Sequence, residues 1–323
     1  MTVPRYEIVK PNEVGVYHCI SRCVRRAFLC GLDRYLGKSF EHRREWVRKR
    51  LGFLVEVFAM DLVAYAIMSN HLHTLLRNRP DIVLLWPDEE VAIRWRRLFP
   101  LRHVRGKPAE PNHTEILAIT SIPELVAQYR ERLSSISWFN RCLNEQIAKM
   151  ANVEDECKGR FWEGRFKSQR VEDLGAILTC SCYIDLNPIR AGIAKTPEES
   201  NYTSIQDRII GEADRVTSRQ RPASPRLLTI EEISSGDLST KEYLTLVDTT
   251  GRMLVEGKGS IPEGIEPILT RLKVNQSKWL DTTRNYKSMF RCVVGPSVNL
   301  CRAAQEMGKA WLHGIRPARA VFG

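Results

Sequence analysis

A chain of 323 residues and 37.1 kDa is long enough to bury a sizeable core and suits about two domains of ordinary size. Its 43% hydrophobic and 27% charged residues exclude the disordered, collagen-like and disulfide-scaffold classes. The 49 Lys and Arg against 38 Asp and Glu leave a formal charge of +11, which fits a polyanionic partner and equally an inert basic surface.

Residues Met1 to Asn12 carry charge and two prolines, so no secretory leader is expected and a cytoplasmic address follows. Nine cysteines without a Cys-x-x-Cys pair suit reduced thiols rather than a disulfide or zinc framework. The segment Val14 to Cys23 (VGVYHCISRC) reads as a first strand. Glu41 to Phe58 carries Trp46, Val47, Leu51, Leu54 and Val55 at three-to-four spacing and reads as an amphipathic helix. Asp61 to Met68 and His71 to Arg77 read as two strands joined by a tight turn. Both Asp61 to Met68 and Ile177 to Ile184 fall well short of the roughly 20 apolar residues of a membrane-spanning helix.

The stretch 79–123 holds six of the sixteen prolines and the basic cluster Arg94, Arg96, Arg97, Arg102, Arg105 and Lys107, and reads as an inserted, partly irregular segment. Helices are expected over Glu124 to Leu133 and Trp138 to Ala151, the second with Phe139, Leu143 and Ile147 at four-residue steps. Gly159 to Arg170 (GRFWEGRFKSQR) reads as a basic loop interleaved with aromatics. Val171 to Leu186 reads as a helix stopped by Asn187-Pro188, with Asn187 its last helical residue. The division this suggests is a first domain over 1–210, a linker over 211–229 whose Ser, Arg and Pro mark it, and a mostly α-helical second domain over 230–323 without a recognisable chemical motif.

His71-Leu72-His73 is the sharpest local signal. On a strand the two imidazoles project to one face about 7 Å apart while Leu72 points to the other. Such a pair can hold a divalent cation or can be a hydrogen-bonded structural pair, and a third ligand would distinguish the two. Tyr183 and Asn187 lie one helical turn apart on a common face. Asn187 can offer a carbonyl oxygen and Tyr183 a phenol; alternatively Tyr183 packs in the core and Asn187 caps the helix. His18 in the first strand reads as a core histidine or one that supports a ligand. Cys180 and Cys182 read as packing residues.

Taken in order, Tyr17-His18, YAIMSNHLHTLLR (65–77), WFNRCLNEQIA (138–148), GRFWEGRFKSQ (159–169) and YIDLNPIRAG (183–192) resemble the REP-associated tyrosine transposases, single-tyrosine enzymes of the His-hydrophobic-His (HUH) endonuclease superfamily. The likeness covers about residues 10–210; the insertion at 79–123 and the C-terminal third depart from it. The resemblance implies an α+β fold, a ferredoxin-like antiparallel sheet with helices on one face, to which this chain adds a mostly α C-terminal extension. It places the nucleophile on Tyr183 and the metal ligands on His71, His73 and Asn187, with Mg2+ or Mn2+ as the cofactor. Single-stranded or hairpin DNA is the implied partner, the assembly a homodimer, and the setting nucleoid-associated.

The implied reaction is attack of the phenol on a phosphodiester, giving a 5′-phosphotyrosine and a free 3′-hydroxyl. An unassisted phenol, with a pKa of about 10, is a poor nucleophile at neutral pH. A metal would polarise the scissile phosphate and stabilise the developing charge. Exchange of one ester for another needs no nucleotide cofactor, and the sequence has no Gly-x-x-x-x-Gly-Lys-Ser/Thr loop. Arg160, Arg165, Lys167 and Arg170 can neutralise phosphates, Trp162 can stack on unpaired bases, and Arg190 is a further phosphate contact; Phe161 and Phe166 suit anchoring of the loop. The alternatives are a catalytically silent or domesticated hairpin-binding regulator and a metal-dependent small-molecule hydrolase. The hydrolase would want further His or Asp ligands after later strands, and the sequence offers no such run.

Overall fold

The computed structural model describes residues 4–24, 28–33, 37–217, 225–254 and 276–322. The linker expected over 211–229 and the C-terminal domain expected over 230–323 therefore lie partly outside the described residues.

The architecture is α+β, built on a five-stranded sheet. Its strands are β1 (Gly15–Arg22), β2 (Met60–Ile67), β3 (His71–Asn78), β4 (Lys167–Val171) and β5 (Val293–Val294), in the order β2-β3-β1-β4-β5. All neighbours are antiparallel except β4 and β5, which run parallel. The expected first three strands are thus present, and β2 and β3 are joined across Met68–Asn70, where the Met68 amide donates to the His71 carbonyl at 2.9 Å.

Helices cover both faces of the sheet, a correction to the expected single covered face. The reason lies in β2, whose residues are almost all buried with no polar alternation, as in strands packed on two sides. On one face Tyr17, Cys19, Leu62, Tyr65, Leu72 and Leu76 pack with α1 (Arg43–Val57) and α5 (Ile136–Glu154). The α5 positions Phe139, Leu143 and Ile147 form its buried stripe, and the Ser135 side chain caps it at the Trp138 amide.

Between them the segment 79–123 is largely helical, with α2 (Asp88–Leu98) and α3 (His113–Thr120) followed by α4 (Pro123–Leu133). Three of its six prolines start helices rather than break them: Pro80 and Pro123 stand in first turns, and Pro87 precedes α2. Asn112 and Glu115 form a reciprocal capping box at the head of α3. Half of the basic cluster there is ion-paired: Arg94 with Glu90, Arg97 with Glu110 and Arg102 with Glu115.

On the opposite face Val16, Ala64, Ala66, Leu75 and Val171 pack with α6 (Leu174–Asp185), α8 (Thr240–Leu254), α9 (Gln276–Met289), α10 (Ser297–Glu306) and α11 (Ile315–Phe322). Residues from the C-terminal third therefore share this core and add β5 to the sheet. The free edge of β2 is covered by the turn into α7 (Ser204–Thr217) and by Leu227–Leu228: the Tyr65 amide donates to Ser204 Oγ at 3.0 Å and the Leu228 amide to the Leu62 carbonyl at 2.9 Å. Among the described residues no helix is long and apolar enough to cross a membrane.

Two expected boundaries move. Lys167–Val171 belongs to β4 and not to a loop, and α6 begins at Leu174, where Asp173 caps it through the Ala176 amide at 2.8 Å. The helix ends at Asp185, and Asn187 opens a separate turn, Asn187–Arg190, with Pro188 in its first turn. Proline forbids continuation of the helix but is well suited to starting the next one.

Candidate active site

The strand period brings His18, His71 and His73 to one face of the sheet, the face on which α6 lies. Their neighbours Tyr17, Cys19 and Leu72 point to the other core. In the β1–β3 register His73 faces Ile20 and His18 faces Leu75, so the two histidines are diagonal neighbours. Their rings stack with centroids 5.1 Å apart, and His71 stands 4.8 Å from His73 on the other side.

Tyr183 projects from α6 toward this group, its ring centroid 5.8 Å from His73 and 6.1 Å from His18. It is only 7% exposed. Tyr286, from α9, stacks on it at 4.6 Å with an interplanar angle of 21°, and the Arg190 guanidinium lies 5.2 Å over its ring.

A chain of hydrogen bonds orders the imidazoles. Gln169, directly opposite His18 in the β1–β4 register, donates its amide Nε2 to the Phe290 carbonyl at 2.8 Å. Its Oε1 lies 2.9 Å from His18 Nδ1, and His18 Nε2 lies 2.9 Å from His73 Nδ1. His73 Nε2 is buried with no hydrogen-bond partner among the described residues. His71 pairs its Nδ1 with Asn70 Oδ1 at 2.7 Å.

Burial disfavours the charged forms of all three rings. It holds His18 at about 4, with Gln169 pulling upward and His71 downward. His71 is also held at about 4, by burial and then by the positive charges of Lys287 and Arg22. His73 is depressed further by burial and by its two imidazole neighbours. At neutral pH all three are uncharged, the form in which imidazole binds cations. Burial raises the Tyr183 phenol above its ordinary value, partly offset by Arg190 and then by Asn187.

Asn187 lies beside Tyr183, and its amide Nδ2 donates to the Tyr183 carbonyl at 2.8 Å, so it does cap the end of α6. Among the described residues no three His, Cys, Asp or Glu side chains form a cation cage. Cys180 and Cys182 are fully buried, their thiols pushed up by desolvation, Cys182 to about 12, in keeping with packing.

The basic aromatic loop runs up to Phe166. Arg160, Arg165 and Lys167 are exposed, whereas Phe161 and Phe166 are buried anchors. Trp162 is half-buried and donates its indole N–H to the Asn144 carbonyl at 2.8 Å. The loop and α5 enclose an open groove of about 860 Å³ lined by Trp138, Arg141, Asn144, Arg160, Trp162 and Arg165 among others. Trp162 bridges Cys23 just past β1, at the end of that strand where Arg22 pairs with His71.

Two expected phosphate contacts are otherwise engaged. Arg170 is 6% exposed and ion-paired with Glu172 and, at 3.4 Å, with Glu306. Arg190 donates to the Thr283 carbonyl and covers Tyr183. Both point inward because β4 and the Asn187–Arg190 turn are overlaid by C-terminal elements. Tyr286 and Lys287 carried no sequence signal, and Gln169 stood at the end of the 159–169 motif with no role assigned to it. His18 did carry one, through its place on an alternating strand.

No family model matches the chain, and no curated protein matches it. Among solved structures it is similar to that of a REP-associated tyrosine transposase bound to a REP hairpin, at 11% identity and a TM-score of 0.39, over 71% of this chain and 100% of the other.

Proposed function

We propose that the chain is a single-strand DNA endonuclease and strand transferase of the tyrosine transposase type, acting next to DNA hairpins. The observation that carries this reading is the convergence of His71, His73 and Tyr183 on one face of the sheet, with a Tyr183–His73 ring separation of 5.8 Å. The motifs at 65–77, 159–169 and 183–192 support it, as does the strand order β2-β3-β1-β4, the order of a ferredoxin-like sheet.

The residues fit a divalent cation. His73 Nε2 is a buried nitrogen without a partner among the described residues, His71 Nε2 is turned away from the bond to Asn70, and both rings are neutral. His71 and His73 would hold Mg2+ or Mn2+, with Asn187 Oδ1 as the third donor. When bound, the cation supplies Lewis-acid polarisation of the scissile phosphate.

Tyr183 attacks phosphorus; its Oη–P bond forms as the P–O3′ bond breaks. The phenolic proton is balanced by the proton that the released 3′-hydroxyl gains. Arg190, over the ring, favours the phenolate that burial disfavours. Arg160, Arg165 and Lys167 bind the DNA backbone, and Trp162 at the groove borders unpaired bases.

Labelled single-stranded hairpin oligonucleotides from the DNA flanking the gene, incubated with protein and Mn2+, test the reading. A denaturation-resistant protein–DNA adduct is expected from the wild type and not from Tyr183→Phe, which retains hairpin binding. An adduct that survives Tyr183→Phe overturns the assignment. The burial of Tyr183 beneath Tyr286 favours a second reading, a silent hairpin-binding regulator, whose signature is specific binding without any adduct.

A further inference from the structure

We propose that His18 and Gln169 are positioning residues that lock His73 in the tautomer whose bare Nε2 faces the cation site, and that the Phe290 carbonyl, in the C-terminal third of the chain, anchors the arrangement. This inference rests on the metal reading above for its purpose, although the hydrogen-bond chain stands without it.

The argument follows the protons. A backbone carbonyl can only accept, so the Gln169 group 2.8 Å from the Phe290 oxygen is its NH2, and the side-chain oxygen is turned toward His18. That oxygen also can only accept. His18 Nδ1, 2.9 Å away, therefore carries a hydrogen. A neutral imidazole has one N–H, which leaves His18 Nε2 bare. Across the next 2.9 Å, His73 Nδ1 must then be the donor, and the lone pair of His73 is left on Nε2. That is the buried nitrogen with no hydrogen-bond partner among the described residues. Reversing any one link sets two acceptors or two donors against each other in a site where all three side chains are buried.

The same logic explains why three histidines meet here without forming a three-imidazole metal site. His18 spends both nitrogens on Gln169 and His73 and has no lone pair to offer. The arrangement belongs to the general class in which a metal-binding histidine is oriented by a hydrogen bond to its other nitrogen. The anchor is unusual in its location: Phe290 follows α9 and lies outside residues 10–210, the span of the sequence resemblance.

The test combines two measurements. In protein labelled with 15N-histidine, a long-range 1H–15N spectrum at pH 7.5 identifies the protonated nitrogen of each ring. His73 is expected in the Nδ1–H form in the wild type. Mn2+ titration followed by electron paramagnetic resonance is expected to show 10- to 100-fold weaker binding in His18→Phe and Gln169→Leu, in which the chain is cut at successive links. His73 protonated on Nε2 in the wild type overturns the inference, and that spectrum decides even if both variants fail to fold. Mn2+ binding as tight in the variants as in the wild type also overturns it. A wild-type protein that shows the Nδ1–H tautomer yet binds no Mn2+ removes the metal reading itself, and the positioning role with it.

Discussion

Tyr286 is the side chain on which the closure of the tyrosine site most depends, and its removal has a calculable cost. It is 1% exposed, stacked at 4.6 Å on Tyr183, and 5.9 Å from His18 and 6.0 Å from Phe290. An aromatic of this size takes about 200 Å² out of water, and at about 25 cal/mol per Å² that burial contributes about 5 kcal/mol. Alanine keeps a fraction of it and leaves a cavity, so Tyr286→Ala is expected to lower stability by about 3–5 kcal/mol. Tyr286→Phe keeps the ring and gives up only the hydroxyl, a buried group near the Cys180 thiol with no hydrogen-bond partner among the described residues, and is expected to cost less than about 1 kcal/mol. Urea unfolding followed by circular dichroism measures both. A double-mutant cycle with Tyr183→Ala isolates the stacked pair, with an expected coupling of about 1 kcal/mol. A loss below about 1 kcal/mol for Tyr286→Ala, or strict additivity in the cycle, would refute the idea that the two rings support each other.

Gly295 has φ +152°, and a Cβ there would lie 2.9 Å from Glu172 Cβ, so Gly295→Ala is expected to cost about 1–3 kcal/mol and to loosen β5. Hydrogen exchange should then accelerate at the Arg170 and Glu172 amides, which donate to the Cys292 and Val294 carbonyls; unchanged protection contradicts the prediction. Arg165→Ala should weaken hairpin-DNA binding and reduce its salt slope by about one, whereas Arg170→Ala should leave the slope alone and lower the melting temperature, because Glu172 loses its buried partner and Glu306 is left with Lys10 alone. Fluorescence anisotropy across a salt series separates them, and equal slope changes would be inconsistent with the burial of Arg170. For pH, the unfolded chain accepts a proton at His18 near 6.5 that the folded chain resists until about 4. Its contribution is therefore fully present above about pH 6.5 and declines as pH falls toward 4, by about 3 kcal/mol in all. Metal-free wild type and His18→Phe with parallel stability profiles between pH 7 and 4 would exclude this.

Much of the sheet could be read along the chain because its information is local. The Val-, Tyr- and Ile-rich run at 14–23 marked β1, and the short polar turn at Ser69–Asn70 marked the junction of β2 with β3. The helix over 138–151 was evident because Phe139, Leu143 and Ile147 repeat on one face. Less visible was the helical order of 79–123, where prolines that terminate helices in one position initiate them in another. The second covered face of the sheet was written in the unbroken burial of β2, but a run of apolar residues does not say what lies on either side of it.

For the site, the division between what could and could not be read follows sequence separation. His71 and His73 declare a shared face by alternation, and Tyr183 was singled out by its one-turn spacing to Asn187 and by the motif it opens. His18 and Gln169 are 151 residues apart and become partners only through the register that pairs β1 with β4. The Phe290 carbonyl joins them because β5 runs parallel to β4, bringing the segment just before Val293 to the buried side of Gln169. A two-residue change of register would leave every strand assignment intact, since alternation survives even shifts. It would nevertheless separate His18 from Gln169 and remove the constraint on the His73 tautomer. The histidine pair in the sequence therefore identifies where a cation can bind, whereas the readiness of its nitrogens depends on long-range pairing that includes the part of the chain farthest from any motif.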